Sequence, residues 1–94
     1  MYRLKVVEVE LRLPGCRSLK EQRQRFGGLK DRVGKQLGFA VVQQAGGSQL
    51  ERAKWTFAVL ASDAQQLQKS LSVLEKTVLS CVDGEVLHWE EFEC

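Results

Sequence analysis

The apolar period of this chain switches from two residues to about 3.6 and back, and does so twice in 94 residues. Residues 2–13 alternate, with Val7, Val9, Leu11 and Leu13 on one face and Tyr2, Leu4, Val6, Glu8, Glu10 and Arg12 on the other. That is the pattern of a strand with one face on a core. Pro14-Gly15 breaks it, and Ser18 followed by Glu21 has the spacing of a helix capping box. Leu19, Phe26, Leu29, Val33 and Leu37 then recur at helical spacing up to Gly38. Phe39–Gln44 reads as a second strand and Ala45-Gly46-Gly47-Ser48 as a turn. Alternation returns from Ala53 to Ala61, with Ala53, Trp55, Phe57 and Val59 facing one way. Ser62 with Gln65 repeats the capping spacing, and Leu67, Leu71, Leu74, Val78 and Cys81 form a second helical stripe. Asp83-Gly84 is a turn before Glu85–Phe92, where Leu87 and Trp89 are expected opposite Val86, His88, Glu90 and Phe92.

The order is β-α-β-β-α-β. Right-handed crossovers then place two helices on one face of a four-stranded antiparallel sheet, an α+β arrangement of the ferredoxin-like type. No Pro- or Ser-rich linker divides the chain, so residues 1–94 are expected to form a single domain. The other sheet face is left open, and Leu4, Val6, Ala58, Leu60, Val86 and Phe92 are expected on it. An apolar patch of several hundred Å² seldom stays bare, so a homodimer through this face is one expectation.

No apolar run approaches the roughly 18 residues needed to cross a bilayer, and Met1-Tyr-Arg-Leu-Lys5 lacks the apolar run of a signal peptide, so no secretory leader is expected. Cys16, Cys81 and Cys94 are odd in number and widely spaced, which does not suit a disulfide framework. A cytoplasmic protein with reduced thiols is expected. One histidine and no clustered thiols are too few ligands for a structural zinc, so no metal and no cofactor are expected.

Charge is the most informative remaining feature. Net charge is only +2, yet residues 17–35 carry Arg17, Lys20, Arg23, Arg25, Lys30, Arg32 and Lys35 against Glu21 and Asp31. The last twelve residues carry five acids, Asp83, Glu85, Glu90, Glu91 and Glu93, and no Lys or Arg. On a continuous helix Lys20, Arg23 and Lys30 share one flank, and Gly27 and Gly34 leave its backbone uncovered. A bare basic flank suits a phosphate backbone, because cationic side chains release counterions from it. The plainer alternative is a solvated helix face whose bases are balanced by the acidic last strand. Gly27-Gly28 in mid-helix marks either a kink or a close approach by another element.

Catalysis has little to stand on. Cys16 lies near a helix N-terminus that favours a thiolate, but the sole histidine, His88, falls in mid-strand. Trp55 and Phe57 belong to the core face and are not base-stacking platforms. Neither a phosphate-binding glycine loop nor the aromatic run of an RNA-recognition sheet occurs. Glu90 and Glu91 point to opposite faces of a strand. No catalytic residue is assigned, and the chain is expected not to be an enzyme.

Leu11-Arg-Leu-Pro-Gly-Cys-Arg-Ser-Leu-Lys-Glu-Gln-Arg23 resembles the YlxP-like family of small bacterial proteins, classed as a domain of unknown function. The similarity continues through Leu29, Arg32-Val33, Phe39-Ala-Val41 and Glu51-Arg52-Ala53. The resemblance implies a ferredoxin-like βαββαβ domain and no established activity. It also implies a setting in translation, since the family's genes commonly lie beside those for ribosome-binding factor A and translation initiation factor 2. Gln22 stands where that family often has Lys, Leu50 where it often has Trp, and Val42-Gln-Gln-Ala-Gly where it is usually acidic. The leading expectation is a non-enzymatic module that contacts RNA or a ribosomal surface through Arg17, Lys20, Arg23, Lys30 and Arg52. The alternative is a self-associating or small-ligand regulatory domain that uses the open sheet face.

Overall fold

The computed structural model describes residues 1–44 and 49–94, so the turn expected at residues 45–48 lies outside the described residues. In chain order the elements are β1 (Arg3–Arg12), α1 (Leu19–Arg25), α2 (Leu29–Gly34), β2 (Phe39–Gln43), β3 (Arg52–Ala61), α3 (Ala64–Cys81) and β4 (Glu85–Glu93). The four strands form one antiparallel sheet in the order β2-β3-β1-β4. This is the ferredoxin-like topology, with the first crossover split into two short helices.

Alternation in β1 and β3 decides which face is buried. Val7, Val9 and Leu11 pair with Phe57, Trp55 and Ala53 across the two central strands. All six are nearly inaccessible, as are Leu13 and Val59. Leu67, Leu71, Leu74 and Val78 present the expected stripe of α3 to this layer. Phe26 of the first crossover meets the Trp55 ring edge-on, with centroids 5.0 Å apart, so Trp55 is a core residue. The cap of α3 is Asp63 rather than Ser62, because the Asp63 carboxylate accepts the Gln66 N–H at 2.8 Å. Ser18 caps α1 as expected: its hydroxyl accepts the Glu21 N–H at 3.0 Å, and the Glu21 carboxylate accepts the Arg17 N–H.

The first crossover departs from one continuous stripe. Gly27 and Gly28 both adopt left-handed backbone, with φ of 61° and 75°, and stop α1 before α2 begins. The helical phase therefore restarts. Phe26, Leu29 and Val33 reach the core, whereas Leu19 and Leu37 are exposed and Gln22 takes an inward position in α1. The kink and the close approach turn out to be one feature: a Cβ on Gly27 would run into the Cys81 carbonyl at the end of α3.

A second departure lies in β4. The register shifts between Glu10 and Leu11, so Glu10 pairs with His88 while Leu11 pairs with Val86. Val86 thereby moves to the helix side, and Glu85, His88, Glu90 and Phe92 of β4 join the open face.

Two glycine substitutions separate strain from collision. Gly28→Ala meets open space and is expected to cost about 1 kcal/mol for its left-handed φ. Gly27→Ala adds overlap with α3 and is expected to cost about 3 kcal/mol or more. Urea unfolding of both variants measures the difference.

Candidate nucleic-acid interface

Lys20 and Arg23 lie three residues apart on α1, one turn from each other on the same side, and both are exposed. Arg17 is exposed just ahead of the Ser18 cap. Lys30 is exposed on α2, beyond the glycine break, so its direction is set by α2 and not by the wheel of α1. Among the described residues none of these four has a carboxylate within salt-bridge distance. Arg52 stands apart from them. It begins β3 on the open face, where its guanidinium pairs with Glu10 at 3.2 Å, while the helices cover the opposite face.

The acids of β4 are committed elsewhere. Glu93 pairs with Arg3, Glu91 with Lys5 at 3.1 Å and Glu85 with Arg12 at 3.6 Å, all of them bases of β1. These pairs follow from strand register, because Lys5 opposes Glu93 and Val7 opposes Glu91 along the same edge. The acidic last strand therefore neutralises its neighbour in the sheet and does not balance the first crossover. Glu91 also accepts the Trp89 indole N–H at 3.0 Å. That bond, with the Lys5 ammonium, holds its carboxyl below the usual carboxylate range against partial burial. The Arg3 guanidinium lowers Glu93 in the same way.

Arg25 and Gln22 are structural residues that charge counting does not distinguish from the rest of the segment. The Arg25 side chain donates to Pro14 O at 2.7 Å and to Asp83 O at 2.9 Å, and the Asp83 N–H returns a bond to Arg25 O. This ties the loop after β1, the end of α1 and the turn before β4. Gln22 is buried and its side-chain amide donates to Leu50 O at 3.1 Å. Two of the places at which the chain departs from the pattern it resembles, Gln22 and Leu50, thus touch each other.

Cys16 is buried, and its thiol donates to Ser18 O at 3.5 Å. Burial, reinforced by a hydrogen bond to Glu21, pushes the thiol pKa up, which opposes the helix-end effect and makes Cys16 a poor nucleophile. His88 is exposed on the open face of β4, beside Glu90, so it does not meet Cys16 on the helix side. Among the described residues no group of three or more His, Cys, Asp or Glu is placed to hold a metal ion. No helix among them is long and apolar enough to cross a membrane.

A βαββαβ sheet with a helical layer on one face and an unsatisfied basic crossover defines a small α+β domain of ferredoxin-like type. Residues 4–91 match the family described as "Protein of unknown function (DUF503)", and the chain belongs to that family. No curated protein matches it. Among solved structures it is similar to an amidase of the hydantoinase/carbamoylase family from Burkholderia multivorans, with a TM-score of 0.61 and 14% identity. That alignment takes in 98% of this chain but only 28% of the amidase. It is also similar to a structural-genomics protein, YJCS, with a TM-score of 0.56, 11% identity and coverage of 95% and 96% of the two chains. The de novo designed protein Foldit4 has a TM-score of 0.51 at 6% identity, over 98% of this chain and 97% of that one. At these identities the likeness is one of fold.

Two measurements check the local chemistry. Cys16 is expected to alkylate far more slowly at neutral pH than the exposed Cys94, as read by mass spectrometry of partially labelled protein. Because the Glu91 pKa is lowered on folding, its contribution to stability is present above the usual carboxylate range and is lost as pH falls through the lowered value. Trp89→Phe removes the indole donor, so the acid-side loss of stability attributable to Glu91 should be smaller and complete at a higher pH in thermal melts.

Proposed function

We propose that this chain is a non-enzymatic, cytoplasmic binding module of YlxP-like type that takes the phosphate backbone of RNA, free or on a ribosomal surface, along its first crossover. Arg17, Lys20, Arg23 and Lys30 carry the contact. The observation that supports this reading is the allocation of charge: three of the four acids of β4 are paired with β1, while these four bases have no carboxylate partner among the described residues. A cation already paired loses that partner when it meets a phosphate, whereas an unpaired one exchanges only water and counterions. Arg52, paired with Glu10 on the opposite face, contributes least. The translation setting implied by the family resemblance points in the same direction.

Filter binding of RNA against salt tests the proposal. Four backbone contacts give a slope of about −3 in log affinity against log salt for a single strand. The double variant Lys20→Glu, Arg23→Glu should weaken binding by about tenfold or more and flatten that slope by about half. Arg52→Glu should change it little. No binding at low salt, or binding indifferent to the double variant, removes the proposal.

A further inference from the structure

The open face of the sheet divides sharply along the strands. At one end lie Leu4 and Val6 of β1 against Leu60 and Ala58 of β3, with Phe92 flanking Val6 and Ala40 flanking Ala58. Leu60 is 50% exposed and Phe92 41%, large values for apolar side chains on a sheet. At the other end the face is charged. Glu8 opposes Glu90 across β1 and β4, a pair of like charges that destabilises the isolated sheet. Glu8 has no basic partner among the described residues, and Glu10 is shared only with Arg52. Lys54, opposite Glu10 in register, has no carboxylate within salt-bridge distance. Among the described residues, one face therefore holds an unpaired base on β3, an unpaired acid on β1 and an uncovered apolar end.

We infer that this face is closed by a second copy of the chain, packed sheet to sheet about a two-fold axis that runs parallel to the strands between β1 and β3. Rotation about that axis keeps each residue at its level along the strand and exchanges β1 with β3 and β2 with β4. The apolar ends then meet each other. At the level of the pairs given above, Val6 lies over Ala58 of the second copy, Leu4 over Leu60, and Phe92 over Ala40, so a large side chain faces a small one in two of the three facing pairs. Lys54 comes over Glu10 of the second copy and beside its Glu8, the acid of that row without a base of its own. An axis running across the strands would instead lay the apolar end on the carboxylates, at the cost of burying unpaired charge. Aligned sheets pack about 10 Å apart and within about 30° of parallel, so the match is between rows of side chains and not single atoms. The helical layers point outward in this dimer, which leaves both basic crossovers free. The inference does not depend on RNA binding.

Sedimentation equilibrium on the full chain, without RNA, tests it. The wild-type chain is expected to have twice the monomer mass, with a dissociation constant below about 100 µM. Leu60→Asp should be monomeric, and Phe92→Glu serves the same purpose should Leu60→Asp fail to fold. Lys54→Glu and Glu10→Lys should each weaken self-association about tenfold or more, because each makes the facing rows alike in sign. An equimolar mixture of those two variants should recover dimer, since the two acids at positions 10 and 54 of one then meet the two lysines at those positions of the other. A wild-type monomer at that concentration overturns the inference, as does an undiminished dimer in Leu60→Asp or Phe92→Glu. A mixture no tighter than its components overturns the proposed axis.

Discussion

β1 is hydrogen-bonded along both edges, to β3 on one side and β4 on the other, and the rest of the molecule is arranged around that constraint. A strand paired on both sides has only its two faces left to distinguish. Its odd-numbered residues from Val7 to Leu11 are apolar and its even-numbered ones from Glu8 to Arg12 are charged, so a one-residue slip would bury carboxylates and a guanidinium. The helices are confined to the odd face. The even face is left for solvent or for another surface.

The same pairing governs the electrostatics. Strand register brings Arg3, Lys5 and Arg12 beside the acids of β4. Each pair is exposed or half-exposed and contributes modestly, on the order of 1 kcal/mol or less. Their importance lies in what they withhold. Glu85, Glu91 and Glu93 are satisfied by β1, Asp83 by Arg25 and Glu90 lies beside His88, so among the described residues no acid of the carboxyl end pairs with Arg17, Lys20, Arg23 or Lys30. A near-zero total charge thus conceals a surface segment with uncompensated positive potential, which is the condition for attracting a polyanion.

Much of the architecture was legible from periodicity. The core positions of β1, β3 and α3 follow directly from alternation and from the Leu67, Leu71, Leu74, Val78 spacing, because those elements are long enough for the repeat to be unambiguous. The first crossover was harder. Leu19 and Leu37 fit a helical stripe on paper, yet both are exposed, because Gly27 and Gly28 reset the phase between two helices too short to carry a stripe of their own. Val86 was misplaced for a related reason: a single extra residue in β4 reverses the alternation, and no residue type announces it. Of the basic residues, exposure was readable but partnership was not. Arg25 and Arg52 look like their neighbours in composition and differ from them only in what they touch.

Local pattern, then, determined the element types, the inward faces of the long elements and the presence of two opposite poles of charge, because each depends on residues within a turn or two of one another. The tertiary structure decided where the first helix breaks, which acid answers which base, and which basic residues share a surface. Those outcomes depend on contacts between distant segments: Gly27 is shaped by the Cys81 carbonyl, and Glu91 is claimed by Lys5 across a strand pair. Spacing along one segment carries no record of the atoms that will be packed against it.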